Sequence, residues 1–233
     1  MWVPHFWTFS PRSRHLPIVW QSAVKAKRVS SSSKGASVYT AAFFRSETDF
    51  VDALRAARAD AQAELFRRHH VRVAEVLERV LGPDDDLPDL VQEVFVRGIA
   101  GAPRFRGTSE ALEAWLVKIA IHTARGLIRR RRVWRRFFSM AESPPDIASP
   151  GQATHEQIEA VRRTYAIFDK LPTGERVALT LEMIDEMPLL QIAESCGVSR
   201  STIKRTLNRA RQRFRTLVDL DPALRDLNGG GGT

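Results

Sequence analysis

Apolar and small residues recur every three to four positions through most of this chain, and the pattern is clearest between residues 112 and 127. The stripe lies at offsets of 3, 4, 7, 8, 11 and 15 from its first residue: Leu112, Trp115, Leu116, Ile119, Ala120, Thr123 and Leu127. These offsets place the side chains on one face of an α-helix. Similar spacing occurs over 51–81, 86–98 and 158–217, and no segment alternates with the period of a β-strand. The sequence therefore predicts an all-α fold.

The helical segments form two groups, separated by a stretch rich in proline, glycine and small polar residues. We expect two small helical domains, 49–138 and 157–217, joined by a flexible linker at 139–156. Residues 1–48 lack sustained periodicity and contain a run of serines, which predicts a disordered basic extension. Residues 218–233, with their glycine run, are predicted to form a flexible tail.

Local signals predict where helices of the first domain begin and end. One helix is expected over 51–81, because Gly82 and a proline follow it. Asp86 is the predicted cap of the next helix, since carboxylates favour helix N-termini. A loop is expected at 101–108 before the long helix begins. Gly126 lies inside that helix, and a glycine there predicts a bend or a weakened end.

The composition excludes several classes of protein. A chain of 233 residues with 43% hydrophobic content is too long for a disulfide-stapled miniprotein and too apolar for a disordered tail. The single cysteine, Cys196, excludes an internal disulfide and a cysteine-rich zinc site, and fits a cytoplasmic location. No apolar stretch approaches the ~20 residues needed to cross a bilayer, so no membrane insertion is expected. The N-terminal segment also lacks the apolar centre of a signal peptide.

The net charge of +9 predicts a polyanionic partner, with nucleic acid ahead of an acidic membrane surface. The charge is unevenly distributed, because residues 1–48 contain seven basic residues and one acidic residue. Two basic stripes follow: ten basic and two acidic residues over 101–137, and seven basic residues with no acid over 198–215. Between Asp84 and Glu93, by contrast, five acids occur without a Lys or Arg. Two basic surfaces and one acidic surface indicate more than one partner.

Residues 189–209 have the pattern of a helix-turn-helix. Ala193, Gly197 and Ile203 supply a small residue between two helices, a turn glycine and an apolar anchor. Ser199 is the predicted cap of the second helix, and Val198 and Leu207 are expected in the core. The outward face of that helix offers donors suited to base edges and phosphates in a DNA major groove: Arg200, Ser201, Lys204, Arg205, Asn208 and Arg209. The less specific interpretation is a solvated basic helix at the end of a bundle.

Asp86, Asp89 and Glu93 lie near one face of the acidic helix, about one turn apart. One interpretation is metal ligation together with His69 and His70, but adjacent helical residues point about 100° apart and do not converge easily. A second interpretation is a docking face for a partner helix. A third is a favourable interaction of carboxylates with the helix N-terminus, which accounts poorly for Glu93.

The loop Arg104 to Ser109 combines cations, an aromatic ring and small polar groups, ahead of a helix that contains Trp115 and ends in four arginines. Such a set suits an extruded base of single-stranded DNA, stacked or pocketed while cations hold the phosphates. Trp115 lies on the apolar stripe, and a core position is the favoured interpretation for this residue. No metalloprotease motif, glycine-rich phosphate loop or catalytic triad pattern is present, so an enzyme is not expected.

Over residues 50–217 these pieces, in this order, resemble a bacterial RNA polymerase sigma factor of the extracytoplasmic-function (ECF) group. DLVQEVFVR at 89–97 resembles the family's region 2.2, and FRGTSEALEAWLVKIAIHTARGLIRRRR at 105–132 resembles its regions 2.3 and 2.4. The segment 171–215, with ESCGVSRSTIKRTLNRARQRFR, resembles region 4. Two departures occur: His122 stands where the family usually has Asn, and Gly126 where it often has Asp or Asn.

The resemblance implies that 49–138 is region 2, that 157–217 is region 4, and that three sets of residues bind partners. Core polymerase is expected to contact Asp86, Asp89, Leu90, Gln92, Glu93 and Phe95. The minus-ten promoter element is expected to contact Arg104, Phe105, Arg106, Thr108, Ser109, Lys118, His122 and Arg125. The minus-thirty-five element is expected to contact Arg200, Ser201, Thr202, Lys204, Arg205, Asn208 and Arg209.

The resemblance further implies a cytoplasmic monomer that uses no cofactor or metal, catalyses no reaction and pairs with an anti-sigma factor. An alternative is a helix-turn-helix regulator that acts on an operator without docking on polymerase. The ordered region 2 motifs argue against this alternative. Residues 1–48 have no counterpart in the family, and we interpret them as the product of an upstream start rather than a basic DNA-contacting arm.

Overall fold

The computed structural model describes residues 44–138 and 155–224. These residues form eight helices and no strand: α1 Glu47–Arg55, α2 Ala59–Leu81, α3 Leu87–Gly101, α4 Ala111–Phe138, α5 His155–Lys170, α6 Thr173–Met183, α7 Leu189–Cys196 and α8 Arg200–Asp219. A short 3-10 turn, Ala102–Arg104, lies between α3 and α4. The prediction of an all-α fold is confirmed, and most of the predicted linker lies outside the described residues.

The single helix predicted over 51–81 is wrong, because α1 and α2 are separate helices. The chain leaves the helix at Ala57, whose φ of 57° lies in the left-handed region. The break turns α1 back so that Phe50 and Leu54 are buried against the other helices. Neither proline nor glycine marks this position in the sequence, and the break is closed by a backbone hydrogen bond from Arg58 to Ala53 at 3.0 Å.

The predicted side-chain cap at Asp86 is also wrong. The Asp86 amide donates to the Asp84 carboxylate at 3.1 Å, and the Asp86 side chain makes no cap hydrogen bond. Its carboxylate instead accepts from Arg131 of α4 at 3.0 Å, as does that of Asp84. Helix α4 passes through Gly126 without interruption and extends to Phe138. Gly126 therefore does not end the helix.

The second half contains the predicted helix-turn-helix, formed by α7 and α8. Gly197 adopts the left-handed conformation, with φ 68° and ψ 35°, that the turn requires and that glycine accepts readily. The Ser199 hydroxyl caps α8 by accepting from the Thr202 amide at 3.2 Å. Leu207 is buried as predicted, whereas Val198 is 37% exposed and does not belong to the core.

The predicted tail from 218 onward begins too early. Helix α8 continues to Asp219, and both Val218 and Leu224 are buried in a cluster with residues of α5 and α6. The packed part of the second half therefore extends at least to Leu224. Residues 225–233 lie outside the described residues, as do 1–43.

The two halves contact each other directly. Apolar residues of α6 and α7 join the buried cluster of α1 to α4: Val177, Ala178, Leu181, Ile192, Ala193 and Cys196. Polar contacts also join the two halves. Arg176 donates to the carbonyl oxygens of Val80 at 3.2 Å and Leu81 at 2.8 Å. The Asp185 carboxylate accepts from Arg72 at 2.8 Å and also pairs with Arg79. The arrangement places α7 of the helix-turn-helix against α4.

Candidate functional site

Helix α3 exposes its acidic and amide side chains on one face and buries most of its apolar side chains on the other. Asp86, Asp89 and Gln92 are exposed, while Glu93 is half-buried and accepts from Arg97 at 2.5 Å. Asp86 is engaged by Arg131, as described above. The face therefore presents carboxylate and amide groups along about two turns of helix.

Two residues expected to contact a partner on this face are instead in the core. Leu90 is 5% exposed and Phe95 is 3% exposed, because both lie on the side of α3 that packs against α2 and α4. Sequence reasoning missed two exposed apolar residues nearby. Val96 on α3 is 60% exposed, and Phe66 on α2 is 45% exposed with its ring 4.8 Å from that of Phe95. Val96 and Phe66 could have been found in the sequence, because each is an apolar residue on an otherwise polar face of its helix.

The histidines near this face do not form a metal site with its carboxylates. Within 44–138 and 155–224, no group of three or more His, Cys, Asp or Glu residues is arranged to hold a metal ion. His69 instead lies 4.0 Å from Glu113 of α4, and burial lowers the pKa of its imidazole. The interpretation of Asp89 and Glu93 as metal ligands is therefore not supported.

The loop between the 3-10 turn and α4 has a buried side and an exposed side. Arg104, Arg106 and Thr108 are exposed. Phe105 is 8% exposed, and its ring centroid lies 4.9 Å from that of Trp115. A Cβ at Gly107 would lie 2.6 Å from the Phe105 ring, so only glycine fits there without displacing the ring. Phe105 is consequently part of the core beneath the loop, which corrects its expected role as a DNA contact.

Side chains of α1 form hydrogen bonds with this loop. The Arg55 guanidinium donates from Nε to the Phe105 carbonyl at 3.0 Å and from Nη2 to the Gly107 carbonyl at 3.1 Å. The Ser109 hydroxyl donates to the Glu47 carboxylate. Ser109 is thereby engaged within the protein. Sequence reasoning missed Arg55 and Glu47, because contacts between residues 50 or more positions apart leave no local pattern.

The face of α4 that follows the loop is basic and mostly open. Lys118 and His122 are exposed, and so are Arg129 and Arg130 further along the helix. Partial burial lowers the pKa of His122, and the positive charges of Arg125 and Lys118 lower it further. The imidazole is therefore neutral at pH 7, with one nitrogen that donates and one that accepts.

Arg125, also on α4, differs from its neighbours because it contacts the second half of the protein. Its guanidinium donates to the Cys196 carbonyl at 3.2 Å, at the end of α7. Cys196 itself is buried, and burial raises the pKa of its thiol, as expected for a small apolar residue rather than a reactive one. Arg125 is thus shared between the candidate DNA face and the contact of the two halves.

The outer face of α8 carries the residues predicted to read duplex DNA. All but one of the seven are exposed: Arg200, Ser201, Lys204, Arg205, Asn208 and Arg209. Thr202 is half-buried, and its hydroxyl lies 2.8 Å from the Ser199 hydroxyl at the cap. Within the described part of the chain, no carboxylate pairs with Lys204 or Arg205. These two cations are available to an anionic ligand.

Two other basic residues of α8, Arg211 and Arg213, pair with carboxylates of α6. Arg211 donates to the Glu182 carboxylate from Nε at 2.9 Å, and Arg213 donates to Glu175 at 3.0 Å. Arg209 lies 3.6 Å from Glu175 but remains exposed. The basic run of the sequence therefore contains an outward set near the start of α8, followed by Arg211 and Arg213, which pair with α6, and by the exposed Arg215.

Two family models match the chain, one in each half. The model of Sigma-70 region 2 matches residues 65–133, and the model of Sigma-70, region 4 matches residues 162–214. The first match contains α3 and the loop before α4. The second contains the helix-turn-helix.

Curated proteins with similar sequences are sigma factors. The RNA polymerase sigma factor CnrH of Cupriavidus metallidurans is 30% identical over 186 residues, which cover 75% of this chain and 96% of that protein. The ECF RNA polymerase sigma factor EcfG of Rhodopseudomonas palustris is 34% identical over 142 residues, covering 61% and 76%. The ECF RNA polymerase sigma-E factor of Escherichia coli is 29% identical over 179 residues, covering 71% and 91%.

Solved structures share the fold. CnrH in complex with the cytosolic domain of CnrY superimposes with a TM-score of 0.52 at 22% identity, covering 75% of this chain and 98% of that one. The sigma factor RpoE from Bartonella quintana, in complex with the anti-sigma factor NepR, superimposes with a TM-score of 0.50 at 21% identity, covering 67% and 95%. Among the described residues, no helix has the length and apolar character needed to span a membrane. With region 2 and region 4 both matched, in order and on their expected helices, the chain belongs to the ECF group of RNA polymerase sigma factors, which direct transcription by RNA polymerase.

Proposed function

We propose that this sigma factor binds core RNA polymerase through α3 and recognises promoters at two sites, the minus-ten element through the loop and α4 and the minus-thirty-five element through α8. The observation that carries the proposal is the presence of one exposed acidic face and two exposed basic faces on the matched domains. Each face has the charge and side-chain chemistry that its partner requires.

The acidic face of α3 is the proposed contact with core polymerase. Asp89, Gln92 and Glu93 offer carboxylate and amide acceptors to a basic or polar surface, and complementary charge favours fast and selective docking. The exposed Phe66 and Val96 add apolar area beside these polar groups. Such a combination of apolar contact and polar surroundings is typical of protein interfaces.

The loop and the basic face of α4 are the proposed contact with the minus-ten element. Arg104 and Arg106 supply cations for phosphates. The Thr108 hydroxyl donates to Glu110, and its oxygen can still accept a hydrogen bond from a base. A base removed from the duplex is read by hydrogen bonds to its edge. His122 suits this task because a neutral imidazole, like the Asn amide usual in the family, offers both a donor and an acceptor.

The outer face of α8 is the proposed reader of the minus-thirty-five element. The second helix of a helix-turn-helix lies in the major groove, with residues of its N-terminal part at the base edges. Arg and Lys pair with guanine and Asn pairs with adenine, so Arg200, Lys204 and Asn208 have suitable chemistry. Arg205 and Arg209 supply further cations for bases or phosphates.

An anti-sigma factor is a further proposed partner. Two structures with this fold are of sigma factors bound to CnrY and to NepR, the latter described as an anti-sigma factor. We also propose that the protein acts in the cytoplasm as a monomer, without a cofactor and without catalysing a reaction. Its contribution to transcription would then consist of binding energy alone.

The test is run-off transcription of fragmented genomic DNA with sigma-free core polymerase, followed by sequencing of the transcripts. We expect transcripts from a discrete set of promoters that share two sequence elements. Absence of any transcript together with absence of core binding refutes the proposal. Sequence-specific duplex binding without core binding would instead establish the alternative of an operator-binding regulator.

Single substitutions test two of the three faces separately. Glu93→Lys reverses one charge of the acidic face and is expected to weaken core binding while duplex binding by α8 is retained. Lys204→Ala is expected to reduce discrimination among minus-thirty-five sequences. A uniform loss over all sequences would reassign Lys204 to phosphate contact. Unchanged core binding by Glu93→Lys would remove the α3 face from the mechanism.

A further inference from the structure

The loop that precedes α4 is fixed by one arginine that lies outside all three faces. Arg55 is the last residue of α1, and its side chain is 32% exposed. Its Nε donates to the Phe105 carbonyl at 3.0 Å and its Nη2 donates to the Gly107 carbonyl at 3.1 Å. The third nitrogen, Nη1, donates to the Asp52 carboxylate at 2.8 Å. A single planar group thus determines the position of two loop carbonyls.

The far end of the loop is also tied to α1. The Ser109 hydroxyl donates to the Glu47 carboxylate, which in turn accepts from Arg68 at 2.8 Å. The hydrogen bond from Ser109, followed by that from Arg68, lowers the pKa of Glu47, so the carboxylate is ionised at neutral pH. Helix α1 therefore holds the loop at its middle and at its end.

The opposite side of the loop is open to solvent. Arg104, Arg106 and Thr108 are exposed there, and they alternate along the chain with Phe105 and Gly107, whose carbonyls are fixed. Arg106 donates to the Pro103 carbonyl at 3.2 Å and the Thr108 hydroxyl donates to Glu110 at 2.6 Å, so both contacts are to residues close in sequence. A loop held from below by hydrogen bonds and packing loses little further conformational freedom on binding. Such support is what keeps binding side chains in a productive geometry.

We infer that Arg55 is a positioning residue for minus-ten recognition, because it holds the loop in the conformation that receives an unpaired DNA base. The inference rests on the proposed function, which assigns this loop to the minus-ten element. The role requires arginine, since its rigid planar fork reaches both carbonyls at once, whereas the ammonium of lysine is a single point charge. Arg55 acts through the loop and does not itself contact DNA.

The test compares variants of the full chain bound to core polymerase. One probe is a single-stranded oligonucleotide with the non-template minus-ten region of a promoter found by run-off transcription. The other is a duplex that contains only the minus-thirty-five element. Arg55→Ala is expected to weaken binding of the single-stranded probe by about tenfold, because the loop must then be ordered at the moment of binding. Binding of the duplex probe and of core polymerase is expected to remain unchanged.

Two variants separate positioning from general stability. Asp52→Asn weakens the acceptor of the third guanidinium nitrogen but leaves both loop carbonyls engaged, so it is expected to bind the single-stranded probe like the wild type. Arg55→Lys is expected to give an intermediate affinity. Tryptic cleavage after Arg104 and Arg106 in the free protein is expected to accelerate in Arg55→Ala, since the loop is released.

The outcomes are distinct. If the wild type fails to bind the single-stranded probe, the proposed minus-ten function fails. If the wild type binds it and Arg55→Ala binds equally well, only the inference about Arg55 is overturned. An equal loss in Asp52→Asn, or tryptic cleavage at the wild-type rate, also overturns it. Should Arg55→Ala not fold, Arg55→Lys and Arg55→Gln decide the question, and wild-type affinity in both refutes the role.

Discussion

The contact between the two halves includes one buried carboxylate, and its replacement is expected to weaken that contact. The Asp185 side chain is 0% exposed and lies between two arginines of α2. Both of its oxygens accept from Arg72 at 2.8 Å, and Oδ1 also pairs with Arg79. Asp185→Asn keeps the size of the side chain but removes the charge that these two guanidinium groups share.

The free energy cost of Asp185→Asn depends on which negative charges remain near Arg72 and Arg79. Removing one partner of a buried ion pair costs about 3–5 kcal/mol, because the other charge is left without compensation. Here Glu75 lies 3.5 Å from Arg79 and 3.9 Å from Arg72, and both arginines reach solvent in part. We therefore expect a smaller cost than this, about 2–3 kcal/mol, in the free energy that holds the two halves together.

Urea denaturation and small-angle X-ray scattering measure the two consequences. Asp185→Asn is expected to unfold at lower urea concentration, with the second half separating first, and to have a larger radius of gyration. The matched control is Glu186→Gln, an adjacent and exposed carboxylate for which the described residues offer no ion-pair partner. This control is expected to change the free energy of unfolding by less than ~0.5 kcal/mol. Wild-type stability and wild-type radius of gyration in Asp185→Asn would refute the reasoning.

Three further predictions concern stability, measured by urea or thermal denaturation. Gly126→Ala should add about 0.5–1 kcal/mol, because α4 is unbroken there and, apart from the adjoining helix backbone, no atom of the described residues lies within 4 Å of the new Cβ; the absence of a gain would contradict this. Ala57→Gly should add about 0.5–1 kcal/mol, because glycine relieves the positive φ; a loss would contradict this. Hydrogen bonds from Arg67 and Arg68 hold the pKa of the buried Glu64 at about 2, below its ordinary 4.5. This stabilisation exists above pH 4.5 and disappears as the pH falls toward 2. Glu64→Gln should therefore cost about 2 kcal/mol at neutral pH and little at pH 2, and a pH-independent cost would refute the assignment.

The helix-turn-helix illustrates what local sequence predicts well. Gly197 takes the left-handed turn, Ser199 caps α8 and Leu207 enters the core, all as predicted from short-range spacing. Each of these features depends on residues within a few positions of one another. Only Val198, whose burial depends on how the turn meets the rest of the molecule, was assigned to the wrong environment.

The α3 face shows a feature that local sequence does not predict. Its acidic character is evident from the sequence, but the side of the helix on which Leu90 and Phe95 lie depends on how α2 and α4 pack against it. The loop anchor at Arg55 has the same origin. In each case a distant residue, absent from any local window, determines the outcome.

The sequence alone determined that the chain is helical, that it contains a DNA-binding helix-turn-helix pattern and that its basic and acidic surfaces are separate. Periodicity, capping and charge are local properties, so the order of residues is sufficient to predict them. The tertiary structure decided which side chains of each face remain exposed, that α1 supports the loop before α4, and that Asp185 joins the two halves. These features arise from contacts between residues 50 to more than 100 positions apart, which form only when the helices pack.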